Sequence, residues 1–111
     1  MALKLFSFRE SSVFTKDVYR FLTEEGYFAL QNFLLEYPTE GDLIPGSGGL
    51  RKIRWKVEGR GKRGGARIIY YFADARGYIF LLDIYSKTAK EDLTPGEIKQ
   101  LRKLIEEWLD E

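Results

Sequence analysis

The chain has 111 residues and a formal net charge of +1, with 44 % hydrophobic and 32 % charged residues. This length suffices for one compact domain, residues 1–111, around a single small core. Cysteine and histidine are both missing, which excludes disulfides, thiolate metal sites and histidine as a general base. No apolar run could span a membrane and no signal peptide is recognisable, so we expect a cytoplasmic protein without metal or cofactor.

The N-terminal third predicts one strand followed by two helices. The apolar alternation in LKLFSF (3–8) is typical of a strand. In TKDVYRFL the apolar residues recur three and four positions apart, which is the stripe of a helix. Thr23 fits the N-cap of a second helix, and Pro38 lies just past its end. The apolar face of that second helix consists of Tyr27, Leu30, Phe33 and Leu34.

The rest of the chain predicts three strands and a final helix. DLIPGSGG (42–49) is typical of an ordered loop. The strands, rich in β-branched and aromatic residues, are expected at 50–57, 66–73 and 77–86. Thr94 fits the N-cap of the last helix and Glu97 completes a capping box.

The resulting order is β, α, α, β, β, β, α. Runs of helices and strands favour an α+β fold over strict βα alternation. We therefore predict a small antiparallel β-sheet packed by an N-terminal helical hairpin and a C-terminal helix. The helices are expected on one face of the sheet, which leaves the other face or the open end for basic residues.

Positive charge is concentrated in the middle of the chain. Residues 46–72 hold eight Lys or Arg and a single acid, Glu58. Lys52, Arg54 and Lys56 alternate along a predicted strand, so they should lie on one side of it. A row of cations with few compensating acids fits a phosphate backbone. An ordinary solvated face is the competing interpretation.

The glycine-rich loop GRGKRGG (59–65) contains the spacing G-x-G-x-x-G. A dinucleotide site needs a helix after this motif, whereas a strand follows here. A Walker loop is excluded because no Ser or Thr follows Lys62 in the required frame. The glycines indicate a turn that a ligand can approach closely, or simply a flexible hairpin tip.

A second group of candidate residues lies in DIYSKTAK (83–90). Tyr85 and Lys87 are two residues apart at the end of the last predicted strand, so they are expected to point to one face. Lys90 follows in the connection to the last helix. The alternatives are a core role for Tyr85 and a satisfied structural carboxylate at Asp83.

Three motifs in this order make the chain similar to a known family: GDLIPGSGGLRKIRW, GRGKRGGARIIYYF and LLDIYSKTAKEDLTPGE. Over about residues 27–105 the chain resembles the HigB branch of the RelE/ParE superfamily of bacterial toxins. The resemblance implies a small antiparallel sheet packed by helices. It also implies a type II toxin that enters the ribosomal A site, cleaves mRNA there, and is neutralised by a helix-turn-helix antitoxin of the HigA kind.

The resemblance also implies roles for individual residues. Arg67 is similar to the family arginine that stabilises transition-state charge, and Arg54 and Lys56 resemble the basic pair on the preceding strand. The implied catalytic set is Arg54, Lys56, Arg67, Tyr85 and Lys87. The implied RNA-binding set is Arg51, Lys52, Arg60, Lys62, Arg63 and Lys90.

Without histidine, proton transfer has to come from Lys, Arg or Tyr. Crowded cations would let one lysine serve as a base near neutral pH. RelE uses a tyrosine early in its C-terminal region, and this chain has none after Tyr85. Either Tyr85 takes that role or the mechanism differs, so the assignment of base and acid stays open.

Three other functions are compatible with the same residues. A ParE-like toxin would poison DNA gyrase without cutting RNA. A non-catalytic RNA-binding module would use the same cations and aromatic residues without chemistry. A degenerate toxin would only bind its antitoxin. ParE-like toxins tend to lack the basic set that this chain keeps, so that function ranks below an mRNA endoribonuclease, whereas the other two stay open.

Overall fold

The computed structural model describes residues 6–57 and 65–111. The helices are α1 (Ser12–Phe21), α2 (Glu24–Glu36) and α3 (Pro95–Leu109). The strands are β1 (Ser7–Glu10), β2 (Asp42–Leu43), β3 (Leu50–Trp55), β4 (Ala66–Ala73) and β5 (Tyr78–Ser86). The predicted order is confirmed except for β2, which lies in the segment predicted to be a loop.

The five strands form one sheet in the order β1-β5-β4-β3-β2. The pairs β2–β3, β3–β4 and β4–β5 are antiparallel, whereas β1 runs parallel to β5. The predicted α+β class is confirmed. The sheet is mostly antiparallel, as predicted; the parallel β1–β5 pair was not foreseen, because apolar alternation within one strand does not reveal the direction of its partner.

Helices cover both faces of the sheet, which corrects the expectation that they cover one. Neighbouring positions on β4 and β5 are both apolar, so each face needs a cover. Ile68 and Leu81 pack with α1 and α2, while Ile69 and Leu82 pack on the side of α3. The basic residues therefore share a face with α3 and lie near the start of that helix.

Helix caps fix where the helices begin. The Thr23 hydroxyl accepts a hydrogen bond from Gly26 N at 3.0 Å, as predicted for the N-cap of α2. Thr94 and Glu97 form the predicted capping box at the start of α3. The Ser11 hydroxyl caps α1 and also donates to Leu82 O at 2.7 Å, which ties that helix to the sheet.

The segment before β2 is held by a buried tyrosine and an arginine. Gly41 N donates to the Tyr70 hydroxyl at 2.8 Å, and that hydroxyl donates to Pro38 O at 2.9 Å. A Cβ at Gly41 would lie 2.7 Å from the Tyr70 ring, so the close approach requires glycine. β2 pairs only with Arg51 and Lys52. Among the described residues, no strand covers the outer edge of β3 beyond Lys52.

Candidate active site

The candidate site is a row of side chains across three neighbouring strands. Arg54 on β3 lies directly opposite Arg67 on β4, and Arg67 lies opposite Tyr85 on β5. Residues that face each other across antiparallel strands point to the same side of the sheet. The fold thus places three residues of the predicted catalytic set side by side. Lys52 lies two residues before Arg54 on β3, so it points to the same face of the sheet.

Lys52 and Arg67 are the inner cations of this row. The Lys52 side chain is 17 % exposed, and its Nζ lies 2.5 Å from Asp92 Oδ1. The Arg67 side chain is 3 % exposed, and Nη2 lies 3.9 Å from Glu91 Oε1. Both acids belong to the β5–α3 connection, residues 87–94. The expectation of nearly uncompensated cations is therefore wrong for this pair.

Arg54 and Lys56 are the outer cations, and both side chains are exposed. β3 ends at Trp55, so Lys56 follows the strand rather than lying within it. Within residues 6–57 and 65–111, neither outer cation forms an ion pair. Exposed, uncompensated cations are well suited to long-range attraction of a polyanion.

Lys90 holds the β5–α3 connection against the start of α3. Its ammonium donates to the Glu97 carboxylate, lies 3.9 Å from Asp83 Oδ2, and lies 4.7 Å from the centre of the Tyr85 ring. The hydrogen bond from Lys90 lowers the pKa of Glu97. Burial raises the pKa of Asp83, and Lys90 opposes that shift. Lys90 thus ties the connection to the start of α3, and its RNA-binding role stays a prediction.

Tyr85 is a core residue whose polar end faces the candidate site. Its side chain belongs to the cluster under α3, and only 6 % of the residue is exposed. The hydroxyl is buried and has no hydrogen-bond partner among the described residues. Burial raises the pKa of Tyr85 to about 12, with Asp83 adding to the shift and Arg67 opposing it. The phenol therefore keeps its proton near neutral pH and can donate a hydrogen bond, but it is a poor base.

The predicted placement of Lys87 on the last strand is corrected. β5 ends at Ser86, and Lys87 begins a turn in which Ala89 N donates to Ser86 O at 3.1 Å. The period-two argument that placed Lys87 beside Tyr85 therefore does not apply, although Lys87 is exposed nearby.

Arg51 points away from the row of cations. Its guanidinium donates to Thr39 O at 3.0 Å and Gly41 O at 2.7 Å, which pins the α2–β2 connection. This arrangement gives Arg51 a structural role, and its RNA-binding role stays a prediction. Arg60, Lys62 and Arg63 lie outside the described residues.

The acids Glu91 and Asp92 are the site residues that sequence reasoning missed. They sit opposite the inner cations, with side chains 50 % and 73 % exposed. The available signal was the KED triplet, residues 90–92, in the connection after the last strand. A charge count by segment assigns these acids to the C-terminal part of the chain, so their pairing with β3 and β4 was not apparent.

The described residues contain no group of three or more acids that could hold a metal ion, and no helix among them could cross a membrane. The side chains present are cations, a protonated phenol and carboxylates. Such a set can bind an anion, stabilise negative charge that develops on it, and donate hydrogen bonds. A phosphodiester is the anion that an extended row of this kind fits best.

Comparison with known proteins agrees with this geometry. Residues 39–111 match the family described as RelE toxin of the RelE / RelB toxin-antitoxin system. This range begins just before β2 and includes β3, β4, β5 and α3, which carry every residue of the row.

The fold is also similar to that of a solved structure, the E. coli toxin RelE, as a double arginine-to-alanine mutant in the free state. The TM-score is 0.56 at 19 % sequence identity, and the match covers 78 % of this chain and 88 % of that one. At this identity the likeness supports the fold. The family match covers well over half of the sequence: the chain therefore belongs to the RelE toxin family, and it is the toxin of a toxin–antitoxin system, an mRNA endoribonuclease.

Proposed function

We propose that this toxin cleaves mRNA in a ribosome-dependent manner, with Arg67 at the scissile phosphate. The observation that carries the proposal is the row Arg54–Arg67–Tyr85 on adjacent strands. Along this row, Arg54 is an exposed cation, Arg67 is a shielded cation and Tyr85 is a phenol that can donate a hydrogen bond. The exposed cation can attract a phosphodiester, and the two shielded groups can then stabilise the charge that develops on it.

In the proposed reaction the ribose 2′-hydroxyl attacks the adjacent phosphorus while the bond from phosphorus to the 5′ oxygen breaks. The 2′-hydroxyl gives its proton to a base, and the leaving 5′ oxygen receives one from an acid. The products are a 2′,3′-cyclic phosphate and a 5′-hydroxyl end. Arg67 offsets the charge on the pentavalent phosphorus, and the Tyr85 hydroxyl donates to a nonbridging oxygen.

The Glu91 carboxylate lies 3.9 Å from the nearly buried Arg67 guanidinium, and in this proposal a phosphate of the RNA takes its place. A bound phosphodiester carries the same charge as the carboxylate that it replaces, so the exchange leaves the inner cations paired. Proton transfer falls to the exposed lysines, Lys56 and Lys87, because Lys52 and Lys90 are engaged by acids. In this proposal Lys56 is the base candidate and Lys87 contacts the phosphate or acts as acid.

The proposal extends to partners and place of action. The motifs quoted above support the HigB branch, and with it a helix-turn-helix antitoxin of the HigA kind. A toxin that acts in the ribosomal A site works in the cytoplasm. The exposed outer cations support contact with ribosome-bound RNA.

Primer extension on a defined mRNA, with and without translating ribosomes, tests the proposal. We expect cuts only when ribosomes are present, and loss of those cuts with Arg67→Ala. Arg20→Ala, which removes an exposed arginine on α1, is the matched control and should cut like the wild type. Cuts without ribosomes would contradict ribosome dependence. No cuts by the wild type would overturn the proposal and direct attention to gyrase inhibition.

A further inference from the structure

An open groove runs along the outer edge of β3, next to the candidate active site. Its volume is 540 Å³. It exists because β2 is only two residues long and pairs with β3 only as far as Lys52. Beyond that point the described residues leave the backbone of β3 without a strand neighbour, so its edge can accept a ligand.

The groove has two chemically different sides. Lys52 and Arg54 of β3 and Lys56 just after it line one side, while Glu40 and Asp42, before and at the start of β2, line the other. A phosphodiester is attracted to the first side and repelled by the second. Carboxylates, in turn, accept hydrogen bonds from the exocyclic amino group of a nucleobase. The charge distribution therefore orients a nucleotide, with its phosphate toward β3 and its base toward the acids.

Aromatic rings line the same groove. Phe33 of α2 and Trp55 of β3 both contribute to the lining, and their ring centres lie 5.5 Å apart. Each residue is partly exposed rather than buried. Aromatic rings beside a line of cations are the usual basis of single-stranded RNA binding, because every base can stack on a ring.

We infer that this groove binds one nucleotide of single-stranded RNA, with its base against Trp55 and an exocyclic amino group toward Glu40 and Asp42. The inference rests on the proposed function, since it places this nucleotide beside the phosphate at Arg67. Arg54 belongs to both the groove and the row, so one RNA strand can occupy both. Cytosine, adenine and guanine carry the amino group and uracil does not, so the groove favours the first three.

The two tryptophans of the chain allow a direct test. In Trp108→Phe, Trp55 is the only tryptophan and reports on the groove. In Trp55→Phe, Trp108 of α3 remains, and its ring packs against Phe80 on the opposite side of the sheet from Phe33. Each folded variant is titrated with 2′-O-methyl hexacytidylate, hexauridylate and an abasic hexamer. The methyl groups remove the attacking hydroxyl, so the RNA is bound but not cut.

We expect hexacytidylate to quench Trp55 fluorescence saturably and the abasic hexamer to leave it unchanged. Hexauridylate should bind severalfold more weakly than hexacytidylate. Glu40→Gln combined with Asp42→Asn should remove that difference. Trp108 fluorescence in the Trp55→Phe variant should not respond to any of the three.

The inference is wrong if hexacytidylate leaves Trp55 fluorescence unchanged, or if it quenches Trp108 equally. It is also wrong if the antitoxin quenches Trp55 and RNA does not, because the open edge of β3 would then be a protein-docking site. Parallel cleavage assays on ribosomes separate the two proposals. Cleavage without Trp55 quenching retains the nuclease and removes the groove, whereas quenching without cleavage retains the groove and removes the nuclease.

Discussion

The inner and outer cations lie within one short stretch of sequence and behave as two different regions. Lys52 and Arg67 are shielded and paired with Asp92 and Glu91. Arg54 is exposed and, within the described residues, has no acidic partner. The difference comes from the β5–α3 connection, which lies over one end of the row and not over the other.

Charge density alone therefore does not identify the residue that stabilises the reacting phosphate. A shielded arginine acts in a region of lower effective dielectric, so its interaction with a phosphate is stronger than that of an exposed one. An exposed cation is screened by salt and mainly increases the rate of encounter. Inner and outer positions therefore suit transition-state stabilisation and RNA capture, respectively.

Replacement of arginine by lysine should affect the rate of mRNA cleavage much more at Arg67 than at Arg54. Lysine keeps the charge but loses the planar, bidentate donor set. We expect Arg67→Lys to lower the rate of mRNA cleavage on ribosomes by roughly 100-fold or more, as for loss of a transition-state donor. Arg54→Lys should lower it only about twofold to threefold, since a point charge suffices at an exposed site. Equal losses would remove the distinction between inner and outer cations.

Neutralising the acids paired with the inner cations should make RNA binding tighter, by a smaller factor than the loss of activity at Arg67. Glu91→Gln and Asp92→Asn remove the carboxylates that RNA has to displace. Both carboxylates are at least half exposed, so each pair should contribute about as much as a surface ion pair, about 0.2–1 kcal/mol. The KM for ribosome-bound mRNA should therefore fall by about 1.5- to 5-fold. Glu106→Gln, which removes an exposed acid on α3, should leave KM unchanged. A loss of kcat at constant KM in Glu91→Gln would instead make Glu91 a participant in proton transfer.

The helices, most of the strands and the row of cations could be predicted from the sequence. The position of the β5–α3 connection beside that row could not. Local signals were sufficient for Thr23 and Thr94, because a cap is decided by residues a few positions apart. Alternation was sufficient to place Lys52 and Arg54 on one face of β3. The Lys52–Asp92 pair joins residues 40 positions apart, and no local pattern specifies which loop folds over which strand.

The other mismatches also have local physical causes. A two-residue strand such as β2 is too short to produce a recognisable alternation, so the open edge of β3 could not be foreseen. Lys87 was misplaced because the turn after Ser86 ends the strand one residue before it. The pairing of β1 depends on a partner about 70 residues away in sequence, as Ser7 aligns with Tyr78.

Salt dependence gives a third, more modest distinction between the two regions. Each phosphate contact with a single strand contributes about 0.7 to the slope of log affinity against log salt. Arg54→Ala and Lys56→Ala should each reduce that slope by about this amount for a noncleavable RNA. Lys16→Ala, on the exposed side of α1, should not change it. An unchanged slope in both outer variants would mean that these cations do not contact phosphate.

Loss of the Tyr85 hydroxyl should change the free energy of unfolding very little. This hydroxyl is buried and has no hydrogen-bond partner among the described residues. Since Tyr85→Phe removes an unsatisfied polar group, we expect the free energy of unfolding at pH 8 to change by less than about 1 kcal/mol. Tyr70→Phe is the matched control. Its hydroxyl bonds to Gly41 N and Pro38 O, so its loss should cost about 1–3 kcal/mol.

The stability of the wild type relative to Tyr85→Phe should also depend on pH. Burial raises the pKa of Tyr85 to about 12, above the ordinary value of 10.0 that applies to the unfolded chain. The folded state thus favours the protonated phenol, and this contribution is fully present below pH 10 and is lost as the pH rises through about 12. In urea unfolding, the wild type should therefore lose stability relative to Tyr85→Phe between pH 9 and pH 12, and the two should run in parallel below about pH 9. Parallel curves up to pH 12 would mean that the hydroxyl is solvated in the folded protein, and that the phenol beside Arg67 is open to water before RNA arrives.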